Sequence, residues 1–151
     1  MEALKVEKLK LQAQVAIRGR KILRGSFFVV PSGYPIPHSR LLLQLLNESH
    51  GFVPLQRASK ILLVNKDQIV YVKLEREKTE VEAGLLQRKV QVTLTIQQEL
   101  LGTVTIDLPE ERRRVLDFLN LKSPFFLLED KKDVYLVNKN MIQDVMPVES
   151  K

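Results

Sequence analysis

Apolar and polar residues alternate along two stretches of the chain, Leu9, Leu11, Ala13, Val15, Ile17 and Val90, Val92, Leu94, Ile96. This period of two predicts a strand with one buried face in each place. A polar turn follows, Arg18-Gly19-Arg20-Lys21 or Gln97-Gln98-Glu99, and then a second β-prone run, Leu23 to Val30 or Leu100 to Ile106. Each second run contains a glycine, Gly25 or Gly102, which predicts a bulge or a strong bend. The period then becomes helical. Ser39 is expected to cap a helix burying Leu41, Leu42, Leu45 and Leu46 and ending at Asn47. In the second half Asp107 or a neighbour caps the helix, Pro109, Glu110 and Glu111 fill its first turn, and Val115, Leu116, Phe118 and Leu119 form its apolar side before Asn120. Asparagine ends a helix well because it tolerates the left-handed conformation. Phe52 to Leu55 and Phe125 to Leu128 read as a third strand. Two hairpins complete the pattern, turning at Asn65-Lys66-Asp67-Gln68 and at Asn138-Lys139-Asn140-Met141.

The two halves also match residue by residue. Residues 40 to 72 laid on 113 to 145 coincide at 12 of 33 positions, among them Leu46/Leu119, Asn47/Asn120, Phe52/Phe125, Asn65/Asn138 and Lys66/Lys139. About two coincidences would arise from average composition alone. Upstream the match continues through Val15/Val92, Leu23/Leu100 and Gly25/Gly102. The expected fold class is therefore α+β, mainly β: two tandem repeats of a small bent antiparallel sheet or partly open barrel, ordered ββαβββ, each with one short helix. The expected domains are a first repeat over 9–75 and a second over 88–148, separated by residues 76–87 as a charged linker or an extended hairpin. Leu46 and Leu119 are expected to be buried alike, Phe52 and Phe125 to fill matching core positions, and Lys66 and Lys139 to be exposed turn residues.

The spacing of the second copy, Arg113-x3-Asp117-x-Leu119-Asn120, then Phe125, then Asn138-Lys139-x2-Ile142, resembles small bacterial domains of unknown function with a Leu-Asn and Asn-Lys signature. The first copy has Gln44 in place of the aspartate. A more distant resemblance is to the Sm-like barrel, which implies a β-barrel and an RNA-binding role; the helix between the second and third strands departs from that fold. Arg20-x3-Arg24 with Asn47-Glu48-Ser49-His50-Gly51 is similar to the motif pair by which PilZ domains hold cyclic di-GMP. Here the second element is one residue short, follows a helix, and has no counterpart in the second copy.

Composition narrows the chemistry. The chain has no cysteine, which removes thiolate catalysis, disulfides and Cys-type zinc sites. His38 and His50 are its only imidazoles, unmatched between the copies and without metal-ligand spacing. Neither a phosphate-binding glycine loop nor a nucleophile elbow is present, so the chain is expected not to be an enzyme and to need no cofactor or metal. Its apolar runs are too short to span a bilayer, and its N-terminus alternates charged and apolar residues, so no membrane insertion and a cytoplasmic location are expected.

Charge is unevenly placed. Residues 1–75 hold 12 Lys+Arg and 5 Asp+Glu, a balance of +7, whereas 76–151 hold 12 and 13, a balance of −1. Arg18, Arg20, Lys21 and Arg24 surround the first turn, with Phe27, Phe28 and Tyr34 nearby in sequence. Cations beside aromatic residues can hold phosphates and stack a base, whereas a solvated hairpin with core phenylalanines has the same composition. The expected function is a non-enzymatic interaction module that binds an acidic protein surface through the basic first repeat. The alternative is nucleic-acid or cyclic-dinucleotide binding by the Arg18–Arg24 hairpin.

Overall fold

The computed structural model describes residues 8–77 and 85–148. In chain order the elements are β1 (Leu9–Ile17), β2 (Leu23–Val29), α1 (His38–Leu46), β3 (Phe52–Arg57), β4 (Lys60–Asn65), β5 (Ile69–Glu75), β6 (Leu86–Leu94), β7 (Glu99–Ile106), α2 (Val115–Leu119), β8 (Phe125–Glu129), β9 (Asp133–Asn138) and β10 (Ile142–Pro147). Single 3-10 turns at Lys66–Gln68, Glu110–Arg112 and Lys139–Met141 complete the set. The protein is mainly β with few helices. Where separate small sheets were expected, all ten strands form one open antiparallel sheet, in the order β10-β6-β7-β8-β9-β5-β1-β2-β3-β4. The halves meet where β5 pairs with β9, Tyr71 opposite Val137 through Glu75 opposite Asp133.

Alternation explains how one sheet holds two cores. In the joint strands successive side chains point to opposite faces, so Val72 and Leu136 enter one core while Tyr71 and Val137 enter the other. The first core combines Phe27, Leu42, Leu46 and Leu55 with Phe125, Leu127, Val134 and Leu136 from the second half. The second combines Val92, Ile106 and Leu128 with Ala16, Val70 and Tyr71 from the first. Being covered on both faces, β5 reads as the unbroken apolar run Ile69-Val70-Tyr71-Val72.

Several sequence expectations are corrected. The runs on either side of Asn65-Lys66-Asp67-Gln68 are not a hairpin: β4 pairs with β3, and β5 with β1 and β9. The same holds for β9 and β10, whose partners are β8 and β5, and β6. Four strand spacings, about 19 Å, separate β5 from β4 along the sheet. The four residue steps from Asn65 to Ile69 reach at most about 14 Å. The sheet must therefore bend for a 3-10 turn to link them.

The shared glycines are not bulges. Pairing runs without a shift past Gly25 in β1·β2 and past Gly102 in β6·β7, and the shifts fall instead at Ala16/Ile17 and Ile142/Asp144. What requires glycine is close approach. A Cβ on Gly25 would lie 2.7 Å from Leu55 Cγ, and one on Gly102 2.8 Å from the Glu129 carbonyl oxygen.

Helix ends differ as well. Helix α1 begins at His38 after Pro37, so Ser39 lies inside it, and the expected second helix divides into the 3-10 turn and the five-residue α2. Neither Asn47 nor Asn120 is left-handed, with φ of −90° and −87°, so left-handed capping does not account for them. Nor are the matched positions of the two halves buried alike. Leu46 is fully buried and Leu119 only partly; Phe125 is buried and Phe52 is exposed. Phe125 lies where the halves meet, whereas Phe52 lies on the strand next to the sheet edge. Within the expected 76–87 segment β6 starts at Leu86, and residues 78–84 lie outside the described residues.

Candidate functional site

The basic cluster is built on the turn between β1 and β2. Gly19 takes φ +77°, a left-handed angle that other residues adopt only under strain. Arg20 N–H closes the turn on the Ile17 carbonyl at 3.1 Å, and Arg18 N–H is tied to the Gln68 carbonyl at 2.9 Å. Arg18, Arg20, Lys21 and Arg24 are all exposed. None forms an ion pair among the described residues, whereas Lys73–Asp133, Arg76–Glu129 and Arg114–Asp117 are paired at 3.5, 3.3 and 3.0 Å. A fifth cation joins them: Arg57 Nε donates to the Arg24 carbonyl at 3.4 Å. Arg57 was not legible as a site residue because strand pairing brings it there from 33 positions away. Beside the turn, Arg18 lines a cleft of about 390 Å³ with Asp67, Gln68, Thr95, Ile96, Asn140 and Met141.

The aromatic half of the expected site is not assembled. Phe27 is fully buried in the core and Phe28 half-buried. Tyr34 is 80% exposed, but it belongs to the connection leaving the far end of β2, whereas the cations surround the near end. The PilZ-like pair is separated too. Arg24 neighbours the end of β3 at Arg57, and residues 47–51 precede its start at Phe52, about 17 Å away along a six-residue strand.

The repeated signature residues have structural partners. Asn47 clamps the first residue of β8 from the other half, its Oδ1 accepting from Phe125 N–H at 2.9 Å and its Nδ2 donating to the Phe125 carbonyl at 3.2 Å. Buried Asn138 donates to the Ile69 carbonyl at 2.9 Å. Asn65 and Asn138 both cap 3-10 turns, accepting from Asp67 and Asn140 N–H at 3.0 Å. Lys66 is buried and Lys139 half-buried, contrary to their expected exposure. Their Nζ atoms donate to the Glu48 and Leu121 carbonyls at 2.6 Å. Burial holds both ammonium groups below the ordinary lysine range, and for Lys66 the carboxylates of Glu48 and Asp67 pull the other way. Asp117 reaches back to Arg114 N–H at 3.3 Å to cap α2, and the Arg114 side chain holds its carboxyl below the usual carboxylate range.

His38 Nδ1 lies 2.9 Å from Glu77 and His50 Nδ1 3.4 Å from Glu48, all four side chains well exposed. Among the described residues no three His, Asp or Glu side chains gather as a metal site, and no helix is long and apolar enough to cross a membrane. No protein-family model, curated protein or solved structure matches this chain.

Proposed function

We propose that residues 9–75 and 86–147 are two copies of one ββαβββ unit, and that the chain is a non-enzymatic interaction module whose first copy presents the β1–β2 hairpin to an acidic protein surface. The observation that carries this reading is the group of four exposed cations gathered around one turn, with Arg57 brought beside Arg24, and without a carboxylate partner among the described residues. Unpaired cations on a rigid turn steer an acidic partner and set its register. An acidic protein is favoured over nucleic acid because Phe27 is in the core and Tyr34 is at the other end of the strand, so the turn has no stacking platform.

The test titrates the protein with an acidic polypeptide, single-stranded RNA and a cyclic dinucleotide at low and physiological salt. The acidic polypeptide should bind, weaken with salt, and be lost when Arg18, Arg20, Lys21 and Arg24 are changed together to Ala. Tight RNA binding whose salt dependence flattens in that variant would transfer the site to nucleic acid. Absence of binding to all three at low salt would reject both.

A further inference from the structure

The joint between the halves has two unused counterparts. It pairs β5, the edge of the first five-strand set, with β9, the opposite edge of the second. Among the described residues the sheet ends at β10, which corresponds to β5, and at β4, which corresponds to β9. The molecule thus carries at its two ends the two kinds of edge that it joins in its middle.

The side chains follow the same rule. At the internal joint Phe125, Val134 and Leu136 are 3%, 3% and 0% exposed. Their counterparts 73 positions earlier, Phe52, Ile61 and Leu63, are 60%, 53% and 67% exposed. Helix α1 packs over β8 and β9, with Leu43 against that core. The residue of α2 matching Leu43 is Leu116, which is 57% exposed. The Asn47 clamp on the Phe125 main chain and the Asn138 bond to the Ile69 carbonyl both cross the joint. Their counterparts are Asn120 with Phe52 and Asn65 with Ile142, and neither the Asn120 side chain nor the Asn65 Nδ2 has a hydrogen-bond partner among the described residues. One apolar patch and two polar groups are left open at the places where the internal joint is closed.

We infer that a second copy of this chain docks head to tail on this patch, its β10 and α2 covering β4 and β3 as β5 and α1 cover β9 and β8. The register carries over, Asp144 opposite Val64, Val145 opposite Leu63 and Met146 opposite Leu62. Two differences make this contact weaker than the internal one. Pro147 stands at the place of Leu74 and has no N–H to donate, and Met146 and Lys60 replace the Lys73–Asp133 ion pair. Association is accordingly concentration-dependent. Because the two surfaces differ, each docked copy still offers a free edge, so assembly proceeds beyond the dimer to a ring or a filament.

Sedimentation of the full chain at rising concentration tests this, with Leu63→Lys to block the β4 edge and Leu116→Lys to block the α2 face. The wild-type chain should form species of more than two 17.4 kDa subunits. Each variant alone should remain a monomer, and the two mixed should form only a one-to-one pair, since one free edge of each kind survives between them. Both positions are exposed, so the thermal unfolding of each monomer should match the wild type; Ile61→Lys replaces Leu63→Lys should that variant fail to fold. A wild-type chain that is monomeric at the highest attainable concentration would overturn the inference. So would a Leu116→Lys variant that still dimerises through β4, or assembly indifferent to both substitutions.

Discussion

Lys66 has the environment of an anchor. Its ammonium donates to the Glu48 carbonyl from a buried position, tying the loop after α1 to the 3-10 turn before β5. Lys66→Ala leaves that carbonyl without its donor and should lower stability by about 1–3 kcal/mol in denaturant titration. The half-buried Lys139, which does the same for Leu121, should follow with a smaller loss. Their pH dependence has a definite sign. Both folded-state pKa values lie below the ordinary 10.5, so the unfolded chain binds more protons in the window beneath that value. The contribution of these two groups to stability should therefore rise with pH through that window. Comparing melting temperatures of the wild type and a Lys66→Met, Lys139→Met double variant from neutral to alkaline pH isolates the effect from Lys73 and Tyr135. A difference that shrinks as pH rises would contradict it.

At the scale of elements, β3 and β8 begin with the same residue in unlike surroundings. Phe125 is covered by α1 and the first core, and Phe125→Ala should cost about 3–5 kcal/mol because close-packed neighbours do not collapse into the gap. Phe52→Ala in the monomer should stay within about 0.5 kcal/mol, as exposed substitutions do. Equilibrium unfolding of both variants at low protein concentration checks the contrast. The alternation in β1 and β6 and the Leu-rich face of α1 were legible in the chain, since a local period reports which face is buried. The break before α2 was not. Proline and the glutamates do favour a helix start, but the chain forms only a 3-10 turn there, and the α-helix begins after Arg114, where Asp117 supplies the cap.

Across the whole molecule the two cores exchange residues through β5 and β9, so neither half is closed without the other. Thermal unfolding should be a single transition, with calorimetric and van't Hoff enthalpies that agree; two resolved transitions would contradict the shared cores. Asn47→Ala removes both hydrogen bonds from the first half to the Phe125 main chain. It should lower the midpoint of that one transition, by about 1–3 kcal/mol of stability, without splitting it.

The chain by itself determined its β-rich class, the ββαβββ order of elements in each half, the apolar faces and the basic first turn. Each of these follows from neighbours close in sequence, where a period of two or a turn-forming residue acts directly on the backbone. Only the tertiary structure decided that Asn65 and Lys66 lead across a bent sheet instead of through a hairpin, that Gly25 admits Leu55, and that Phe125 is enclosed while Phe52 is open. Pairing of β5 with β9 joins residues more than 50 positions apart, and which edge meets which depends on shape and surface that become available only after both halves have formed.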